Sequence, residues 1–536
     1  MKYPFLLGTL LVFIFTGCKK TAPTPALYSP GPQYDVVIYG GNASGVMAAV
    51  AASRMGKQVL LIEPALHLGG MTASGLGNTD VGNPAAITGL ARDFYQRNGQ
   101  RYGLAVQWLV EPHVAEQLFN DYINQAGVKV MTGYRLAATM KTGTQISAIT
   151  IAPAVPGANS SLQYTISAKI FIDCSYEGDL MAQAGVSYTI GREDNGQYGE
   201  TLNGIQAADG HQFEDGINPY VIPGKASSGL VYGVSSGQLP PTGSGDKKIQ
   251  AYNFRLCLTR NASQQLPITR PENYDSSRYE LLRRIIARSE QLGEKNHLDQ
   301  YLELSELPDG EIDANNKGPF STDFIGGSWN YPEADNTTRA AIIQAHVDYT
   351  KGLLYFLGHD SGVPAWLRTE MLQLGWAKNE FRDNGGFPWQ LYVRESRRMI
   401  GEYVMTEHNC RGQVSVADGV TQASYPIDSH NCERLVENGM VKNEGDVQVK
   451  GLPPYSIAYH ALTPKRTECT NLLVPVCLSA SHIGYASIRT EPVFMGTGEV
   501  CGAAAAMAID ANTAVQTLNV NDLQHKLSSD PLLENH

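Results

Sequence analysis

The segment DVVIYGGNASGV, residues 35–46, has the glycine spacing that pyrophosphate binding requires. Gly40 and Gly45 fill the first and last positions of a G-x-G-x-x-G pattern, and Asn42 replaces the middle glycine. In this pattern the first glycine permits a tight turn, the second lets the backbone approach the phosphates, and the third allows close helix packing. Because asparagine tolerates a positive φ better than most residues, we predict that Asn42 keeps the backbone path and that its amide can donate to phosphate. The alternative is a strand–turn–helix unit that binds no nucleotide.

The residues around this turn supply the supersecondary unit in which the pattern acts. YDVVIY, before the turn, is a β-branched run typical of a strand buried on both faces. SGVMAAVAASRMG predicts a helix of small residues that Gly56 ends, and KQVLLIE predicts a second buried strand. That strand finishes at Glu63, 23 positions after Gly40, where a carboxylate can accept hydrogen bonds from ribose hydroxyls. The predicted nucleotide contacts are Gly40, Gly41, Asn42, Ala43, Ser44, Gly45 and Glu63.

Four further stretches carry a family resemblance. They are PALHLGGMTASGLGNTD (64–80), FIDCSYEGDLMAQAGVSYTIGRE (171–193), LYVRESRRMIGEYVMT (391–406) and TNLLVPVCLSASHIGYASIRTEPVFMGTGEVCGAAAAMA (470–508). As a set they resemble the FAD-dependent oxidoreductases of bacteria that degrade polysaccharides, some of which are labelled xanthan lyase. The resemblance extends from Tyr34 to about Ala508 and implies an FAD-binding fold of the glutathione reductase type. It also implies that the Gly-Gly turn contacts FAD rather than NAD.

The resemblance implies further cofactor contacts outside the first turn. They are Pro64, His67, Gly69, Gly70, Met71, the backbone of Leu136, Asp173 at a strand end, and Arg489. Near the C-terminus, GTGEVCGAAAAMAI predicts a glycine turn that opens a helix, with its N-terminus aimed at the flavin pyrimidine. Gly496, Thr497 and Gly498 are placed at that N-terminus, together with Glu499. The alternative is a helix that is packed through its alanines only.

Candidate catalytic residues come from the second half of the chain and from one strand end. RESRR places Arg394, Arg397 and Arg398 on one helix face, where they suit a carboxylate such as that of a uronic acid. The alternative is that these arginines pair with Glu395, Glu402 and other carboxylates of the protein. The candidate general bases are His430 and His482, since an oxidised alcohol must lose its hydroxyl proton as hydride leaves. Glu177 follows a strand end in a polar cluster with Tyr176 and Asp179 that can line the cleft.

These elements predict an α/β protein with a Rossmann-like FAD-binding domain, a central parallel sheet and a small β-meander, plus an inserted mixed α+β substrate domain. The predicted divisions are 34–200 and 461–512 for the FAD-binding domain, 201–460 for the substrate or cap domain, and 513–536 for a C-terminal tail. The expected reaction is hydride transfer from a carbohydrate or other hydroxylated substrate to flavin N5. There are two alternatives: a lyase or hydrolase with a transient or structural FAD, and an inactive glycan-binding protein. No second Rossmann turn is recognised, so the electron acceptor is external and unknown. No cysteine or histidine spacing predicts a metal site.

The N-terminus predicts export. Lys2 precedes the apolar run FLLGTLLVFIF (5–15), and Gly17-Cys18 follows, as in a bacterial lipoprotein signal that ends at residue 18. Residues 19–33 are rich in proline and predict a flexible tether from a lipid on Cys18 to a periplasmic or outer-membrane enzyme. A plain secretory signal or an N-terminal anchor are the alternatives. The net charge of −11 argues against a nucleic-acid partner.

The other cysteines and the remaining apolar runs complete these predictions. Cys410 and Cys432 bracket a polar segment and are the first candidates for a disulfide, which an exported protein permits. Cys174, Cys257, Cys477 and Cys501 lie in apolar contexts and predict small buried side chains. GAAAAMAI, near the C-terminus, is predicted to be too short for a membrane helix.

Overall fold

The fold was analysed in a computed structural model that describes residues 34–154, 162–207 and 210–529. The predicted lipoprotein signal and tether lie outside the described residues.

The helices of the described residues vary from single turns to 24 residues. They are α1 (Ala43–Arg54), α2 (Gly89–Arg101), α3 (Pro112–Ala126), α4 (Asp179–Gln183), α5 (Asn195–Tyr198), α6 (Glu280–Gln291), α7 (Asn336–His359), α8 (Ala365–Leu372), α9 (Glu407–Cys410), α10 (His482–Ile488), α11 (Glu491–Asp510) and α12 (Val520–Ser529).

The strands are mostly short. They are β1 (Tyr34–Tyr39), β2 (Val59–Glu63), β3 (Lys129–Thr132), β4 (Tyr134–Thr142), β5 (Gln145–Pro153), β6 (Tyr164–Ile166), β7 (Ala168–Asp173), β8 (Tyr188–Thr189), β9 (Leu256–Thr259), β10 (Gln265–Leu266), β11 (Leu302–Glu306), β12 (Glu311–Asn316), β13 (Gly375–Ala377), β14 (Arg398–Met399), β15 (Gly419–Ala423), β16 (Ile427–Ser429), β17 (Glu433–Glu437), β18 (Met440–Glu444), β19 (Val447–Val449), β20 (Tyr455–Ala458) and β21 (Leu472–Leu473).

A five-stranded parallel sheet lies at the centre of the fold, in the order β21-β7-β1-β2-β3. Val36 of β1 is in register with Val59 of β2 on one side and with Ile170 of β7 on the other. Both faces are covered, which explains why β1 and β2 are continuous apolar runs. The predicted mixed α/β fold with a parallel sheet is therefore confirmed.

The predicted β-meander is present as the antiparallel sheet β4-β5-β6. The segment VKVMTGYRL (128–136) is divided by Gly133, which has a φ of +75°. One half, β3, joins the parallel sheet, and the other half, β4, begins the meander. The glycine thus lets the chain leave one sheet and enter the next.

A second five-stranded sheet is antiparallel and has the order β10-β13-β9-β12-β11. Four two-stranded ribbons accompany it among the described residues: β8 with β14, β15 with β20, β16 with β19, and β17 with β18. The strands of this sheet lie between residues 256 and 377, and those of the ribbons, apart from β8, lie between residues 398 and 458.

Helix α11 corrects the predicted glycine turn. It begins at Glu491, with Pro492 in its first turn, so Gly496, Thr497 and Gly498 lie inside the helix and are buried. A side chain at Gly498 would overlap the backbone carbonyl oxygen of Ser44 in α1. Gly498 therefore lets α1 and α11 pack closely, and the helix N-terminus lies at Glu491 rather than at Gly496.

The length of α11 also differs from the prediction. With 20 residues it is long and apolar enough to cross a membrane by length and composition. However, 89% of its most apolar window is buried inside the protein, as in the core helix of a globular fold.

The segment RESRR is not a helix, which corrects the predicted common arginine face. Its backbone is extended, and only Arg398 and Met399 form a short strand. Each arginine pairs at 2.8 Å with a different carboxylate: Arg394 with Asp323, Arg397 with Asp179, and Arg398 with Glu193. Arg398 also lies 2.9 Å from Glu395. The alternative interpretation, pairing with carboxylates of the protein, is the one that the contacts support.

The cysteines of the described residues are buried and unpaired, so the predicted disulfide between Cys410 and Cys432 is absent there. The thiol of Cys410 contacts the carbonyl of Gly484, and that of Cys432 contacts the carbonyl of His430. Both therefore act as small core side chains.

The glycine contact between α1 and α11 generates a stability prediction. Gly502→Ala should lower the free energy of unfolding by about 1–3 kcal/mol, because its methyl group would overlap the carbonyl oxygen of Ala48. Gly358→Ala is the control, since that helical glycine meets only the flexible ends of Leu372 and Met371. Urea unfolding followed by circular dichroism measures both variants. Equal unfolding midpoints for Gly502→Ala and Gly358→Ala would contradict the packing role of Gly502.

Candidate functional site

The turn after β1 has the close contacts that the glycine pattern requires. Gly40 has a φ of +103°, and a Cβ there would lie 2.7 Å from the backbone of Cys174 on the neighbouring strand end. A Cβ at Gly45 would overlap the carbonyl oxygen of Gly40. Since Ala43 and Ser44 lie in the first turn of α1, their N–H groups have no acceptor within the helix. The turn therefore presents free donors at a helix N-terminus, where an anion binds well.

Asn42 has a different role from the one predicted. Its φ is −69°, in extended backbone, so a positive φ is not the reason that asparagine fits here. The side-chain oxygen caps α1 by accepting from the N–H of Gly45 at 3.1 Å. One N–H of the amide donates to the carbonyl of Cys174 at 2.6 Å. Asn42 thus anchors both the helix and the end of β7.

Glu63 lies at the end of β2, as predicted for the ribose-binding carboxylate. Its two oxygens accept from the N–H groups of Gly41 at 2.5 Å and Ala65 at 2.7 Å. Burial outweighs these hydrogen bonds and raises the pKa of Glu63 to about 7.

The Gly69-Gly70 turn is held by a buried network. The φ angles of Gly69 and Gly70 are +100° and +53°. The hydroxyl of Tyr176 accepts from the N–H of Met71 at 3.0 Å and donates to the carboxylate of Glu491 at 2.7 Å. Thr72 donates to the other oxygen of Glu491 at 2.9 Å, and burial raises the pKa of this carboxyl to about 7.

Cavity 1 connects these features and has a volume of about 300 Å³. It begins at the dinucleotide turn and the end of β2 and continues to the loop after β7 and to the segment 389–391. The predicted residues that line it are Gly40, Asn42, Glu63, Pro64, His67, Gly70 and Glu177. The ring of His67 stacks on Trp389 at 3.5 Å at the same cavity. The N–H groups in the first turn of α1, the glycine turn after β1 and the carboxylate of Glu63 together fit a dinucleotide.

Two predicted cofactor residues lie beside cavity 1 without lining it. The N–H of Leu136 donates to the hydroxyl of Tyr39 at 3.2 Å, while its neighbour Arg135 lines the cavity. The carboxylate of Asp173 accepts from Ser175 and from the N–H of Met181, so it orders the loop after β7. Burial raises the pKa of Asp173 to about 6.

Cavity 2 has a volume of about 420 Å³ and brings together three predicted residues that are far apart in sequence. These are His430, Arg394 and Arg489. Asparagine, glutamine, lysine and carboxylate side chains make up much of the remaining lining, with Tyr392 and Tyr425 as its aromatic faces. Cavity 2 is therefore polar and is lined by side chains of both charge signs.

His430 lies between two carboxylates in cavity 2. Its Nδ1 is 2.7 Å from Asp323, and its Nε2 is 3.4 Å from Asp428. Burial opposes ionisation of Asp323, but the charges of Arg394 and His430 outweigh it and lower the pKa of Asp323 to about 2. In the same way, His430 and Arg489 hold the pKa of Asp428 well below its usual range against the effect of burial.

Arg394 and Arg489 flank Tyr392. The guanidinium carbons lie 4.9 Å and 5.7 Å from the centre of its ring. Arg489 donates to the Tyr392 hydroxyl at 3.0 Å and to the backbone carbonyl of Asp428 at 2.7 Å. These contacts fix the tyrosine and the acidic residue on one wall of the cavity.

Two predicted catalytic residues lie elsewhere. His482 lines neither cavity, because its Nδ1 contacts Glu395 at 2.8 Å and its Nε2 contacts Ser429 at 3.1 Å inside the core. Glu177 lines cavity 1 and accepts from Tyr331 at 2.9 Å. Of these predicted residues, His430 lines cavity 2, Glu177 lines cavity 1, and His482 is held in the core.

Sequence reasoning missed three carboxylates of the site. Asp323 occupies an irregular segment and Asp428 a three-residue strand, β16, and in neither place does a periodic pattern single out an acidic residue. Glu491 did have a signal, because proline at the second helical position of Thr490-Glu491-Pro492 marks a helix start.

The sequence profile described as FAD dependent oxidoreductase matches residues 35–527. The chain belongs to this family. FAD is accordingly the cofactor, and the protein is an FAD-dependent oxidoreductase. The residues around cavity 1 would hold the dinucleotide, with Glu63 at its ribose and the first turn of α1 at its pyrophosphate.

Likeness to individual proteins covers smaller parts of the chain. A 3-oxosteroid 1-dehydrogenase of Mycolicibacterium smegmatis is 39% identical over 56 residues, which are 10% of each chain. The anhydrotetracycline hydroxylase OxyS of Streptomyces rimosus is 15% identical, with 39% of this chain and 43% of that chain covered and a TM-score of 0.24. A flavoprotein/dehydrogenase of Cytophaga hutchinsonii is 15% identical, with coverages of 30% and 44% and a TM-score of 0.23. The chain spans less than half the length of each of these proteins.

The capping role of Asn42 predicts a stability loss on substitution. Asn42→Gly should lower the free energy of unfolding by about 1–2 kcal/mol, because it removes the cap and the bond to Cys174. Asn261→Gly is the matched control, since Asn261 caps an exposed 3₁₀ turn in the same way. Thermal unfolding of the two FAD-loaded variants provides the comparison, and an unchanged midpoint for Asn42→Gly would refute the anchoring role.

The contact between Gly45 and Gly40 predicts loss of cofactor. Gly45→Ala should purify with little FAD, because its methyl group must displace the turn that faces the dinucleotide. The ratio of flavin to protein absorbance measures this effect, with circular dichroism to verify folding. Gly358→Ala should retain full FAD, and an equally full Gly45→Ala variant would show that the turn does not contact the cofactor.

Proposed function

We propose that the protein removes a hydride from a hydroxyl-bearing carbon of a carbohydrate, with cavity 2 as the substrate site and FAD in cavity 1. When bound, the flavin of FAD accepts the hydride. The protein residues then have to bind the sugar, orient it and remove the hydroxyl proton. The observation that carries the proposal is His430 on the wall of cavity 2, with its Nδ1 held at 2.7 Å by Asp323, which does not line the cavity.

This pair fixes the tautomer of His430. Because Asp323 has a pKa of about 2, it is ionised at neutral pH and can only accept a hydrogen bond. Proton transfer to His430 requires the neutral ring, in which the Asp323 contact places the proton on Nδ1 and the lone pair on Nε2, 3.4 Å from the carboxylate of Asp428. A substrate hydroxyl within reach of Nε2 would lose its proton to this nitrogen as hydride leaves the adjacent carbon.

The lining of cavity 2 supports a hydroxyl-rich substrate. Asn78, Asn315 and Gln448 offer amide donors and acceptors for hydroxyl groups. Tyr392 and Tyr425 provide aromatic faces that suit the apolar face of a sugar ring. The exposed Lys317 is a cationic group on the same lining. The apolar rings of a steroid would leave many of these polar groups unpaired.

The proposal includes the organisation and location of the enzyme. Residues 201–460 would form a substrate or cap domain inserted into an FAD-binding domain of the glutathione reductase type, as in the xanthan lyase-labelled proteins that the sequence resembles. Export as a lipoprotein on Cys18 would place the enzyme at the cell surface or in the periplasm, where polysaccharide fragments occur. An external acceptor would reoxidise the flavin.

An anaerobic substrate screen tests this function. Neutral and acidic oligosaccharides are mixed with the FAD-loaded enzyme, and the roughly 450 nm flavin band is followed. Persistent bleaching by a sugar supports the proposal. Product formation without net reduction would favour the lyase or hydrolase, and binding with neither effect would favour a glycan-binding protein. Bleaching by a 3-oxosteroid alone would contradict the carbohydrate assignment.

The role of His430 yields a kinetic prediction. With a substrate that bleaches the flavin, His430→Gln should slow flavin reduction by about 10²–10⁴-fold. The reason is that glutamine has no basic ring nitrogen to take the hydroxyl proton of the substrate. FAD content should not change, since His430 does not line cavity 1.

His460→Gln is the matched control for this variant. His460 pairs with Asp418 at 2.6 Å but lines neither cavity, so its substitution should leave the reduction rate unchanged. Stopped-flow absorbance measures both rates. A His430→Gln rate within about threefold of the wild type would assign the proton to another group.

A further inference from the structure

Three potential metal ligands converge at a place where neither cavity lies. His113 is in the first turn of α3, Glu311 begins β12, and Glu380 follows β13. One ligand atom from each residue can be chosen so that all three lie within 4.8 Å of one another. Sequence spacing could not predict this cluster, because its members come from segments that are far apart in the chain.

The carboxylates of this cluster are buried, and the imidazole opens to solvent. Glu380 is 1% exposed and Glu311 is 5% exposed, whereas the side chain of His113 is 45% exposed. The N–H of His113 donates to one oxygen of Glu380 at 2.9 Å, and its Nδ1 contacts the other. The two carboxylates of the cluster therefore lie in the interior, and the histidine is accessible from solvent.

The negative charge of the two buried carboxylates favours a bound cation. Within the described ranges, no lysine or arginine pairs with Glu311 or Glu380, and His113 alone forms an ion pair with Glu380. The partners of Glu311 are the neutral amide of Asn379 and the neutral thiol of Cys257, the latter at 3.1 Å. Buried carboxylates are otherwise paired with cations or bound to metals.

We propose that His113, Glu311 and Glu380 bind a divalent metal ion such as Zn²⁺. One imidazole nitrogen and carboxylate oxygens are a ligand set that this ion accepts, with water completing a tetrahedral shell. The metal would join α3, which packs on α1 beside the parallel sheet, to β12 and the segment after β13 in the second sheet. The site would lie outside both cavities, since none of the three residues lines cavity 1 or cavity 2.

Zinc binding to the whole FAD-loaded protein tests the proposal. After dialysis against a chelator and then buffer, titration calorimetry with ZnCl₂ should show one site per chain, and mass spectrometry of the metal content should agree. Zn²⁺ should also raise the temperature of unfolding, because it binds only the folded arrangement. No uptake by the wild-type protein at neutral pH would overturn the proposal.

Variants identify the ligands. His113→Ala and Glu380→Gln should each weaken Zn²⁺ binding by about tenfold or more. Glu370→Gln is the control, because Glu370 forms an exposed pair with His297 at 3.1 Å without a second carboxylate, and it should bind Zn²⁺ like the wild type. Because the side chain of His113 is half-exposed, we expect His113→Ala to fold even if Glu380→Gln does not. Unchanged affinity in His113→Ala would overturn the assignment.

Discussion

The close approach of α1 and α11 is the contact on which the rest of the site depends. Gly498 and Gly502 of α11 lie against the backbone of Ser44 and Ala48 in α1, at positions where a side chain would not fit. Side-chain interdigitation would separate two such helices by a larger distance. Because they are in backbone contact, the start of α11 brings Glu491 to the Met71 turn and Arg489 to cavity 2. A packing constraint thus sets the position of chemical groups.

Buried ion pairs are the second organising force, and they are concentrated around the second half of the chain. Arg192 pairs with Glu444 at 2.8 Å, and Arg398 with Glu193 at 2.8 Å, with side chains that are almost completely buried. Removing one partner of such a pair leaves an uncompensated charge in the interior, which costs about 3–5 kcal/mol. Asp323 belongs to the same class of contacts, since it joins Arg394 to His430. The groups that fix the histidine therefore also hold the surrounding loops together.

The sequence was sufficient for the first half of the cofactor site and insufficient for the second cavity. Strand β1, helix α1 and strand β2 were predictable because burial on both faces leaves a continuous apolar run and because glycine marks the turn. Asn42 was placed correctly but for the wrong reason, since helix capping and positive φ favour the same residue type. The spacing of RESRR suggested a helix, yet buried charges in an extended segment can have the same spacing. Asp323 became recognisable only when a long-range contact placed it beside His430, whereas Asp428 is two residues from His430 but has no pattern that marks it.

The network of Tyr176, Thr72 and Glu491 has a consequence for biogenesis. It closes the Gly69-Gly70 turn with a carboxylate from a residue more than 400 positions further along the chain. Residues 34–200 contain most of the residues that line cavity 1, but they lack the helix that packs on α1 and the acid that ties the turn. A growing chain therefore cannot complete its cofactor site until α11 has been synthesised. Flavin capture is consequently a late event, which follows rather than guides the meeting of the two ends of the fold.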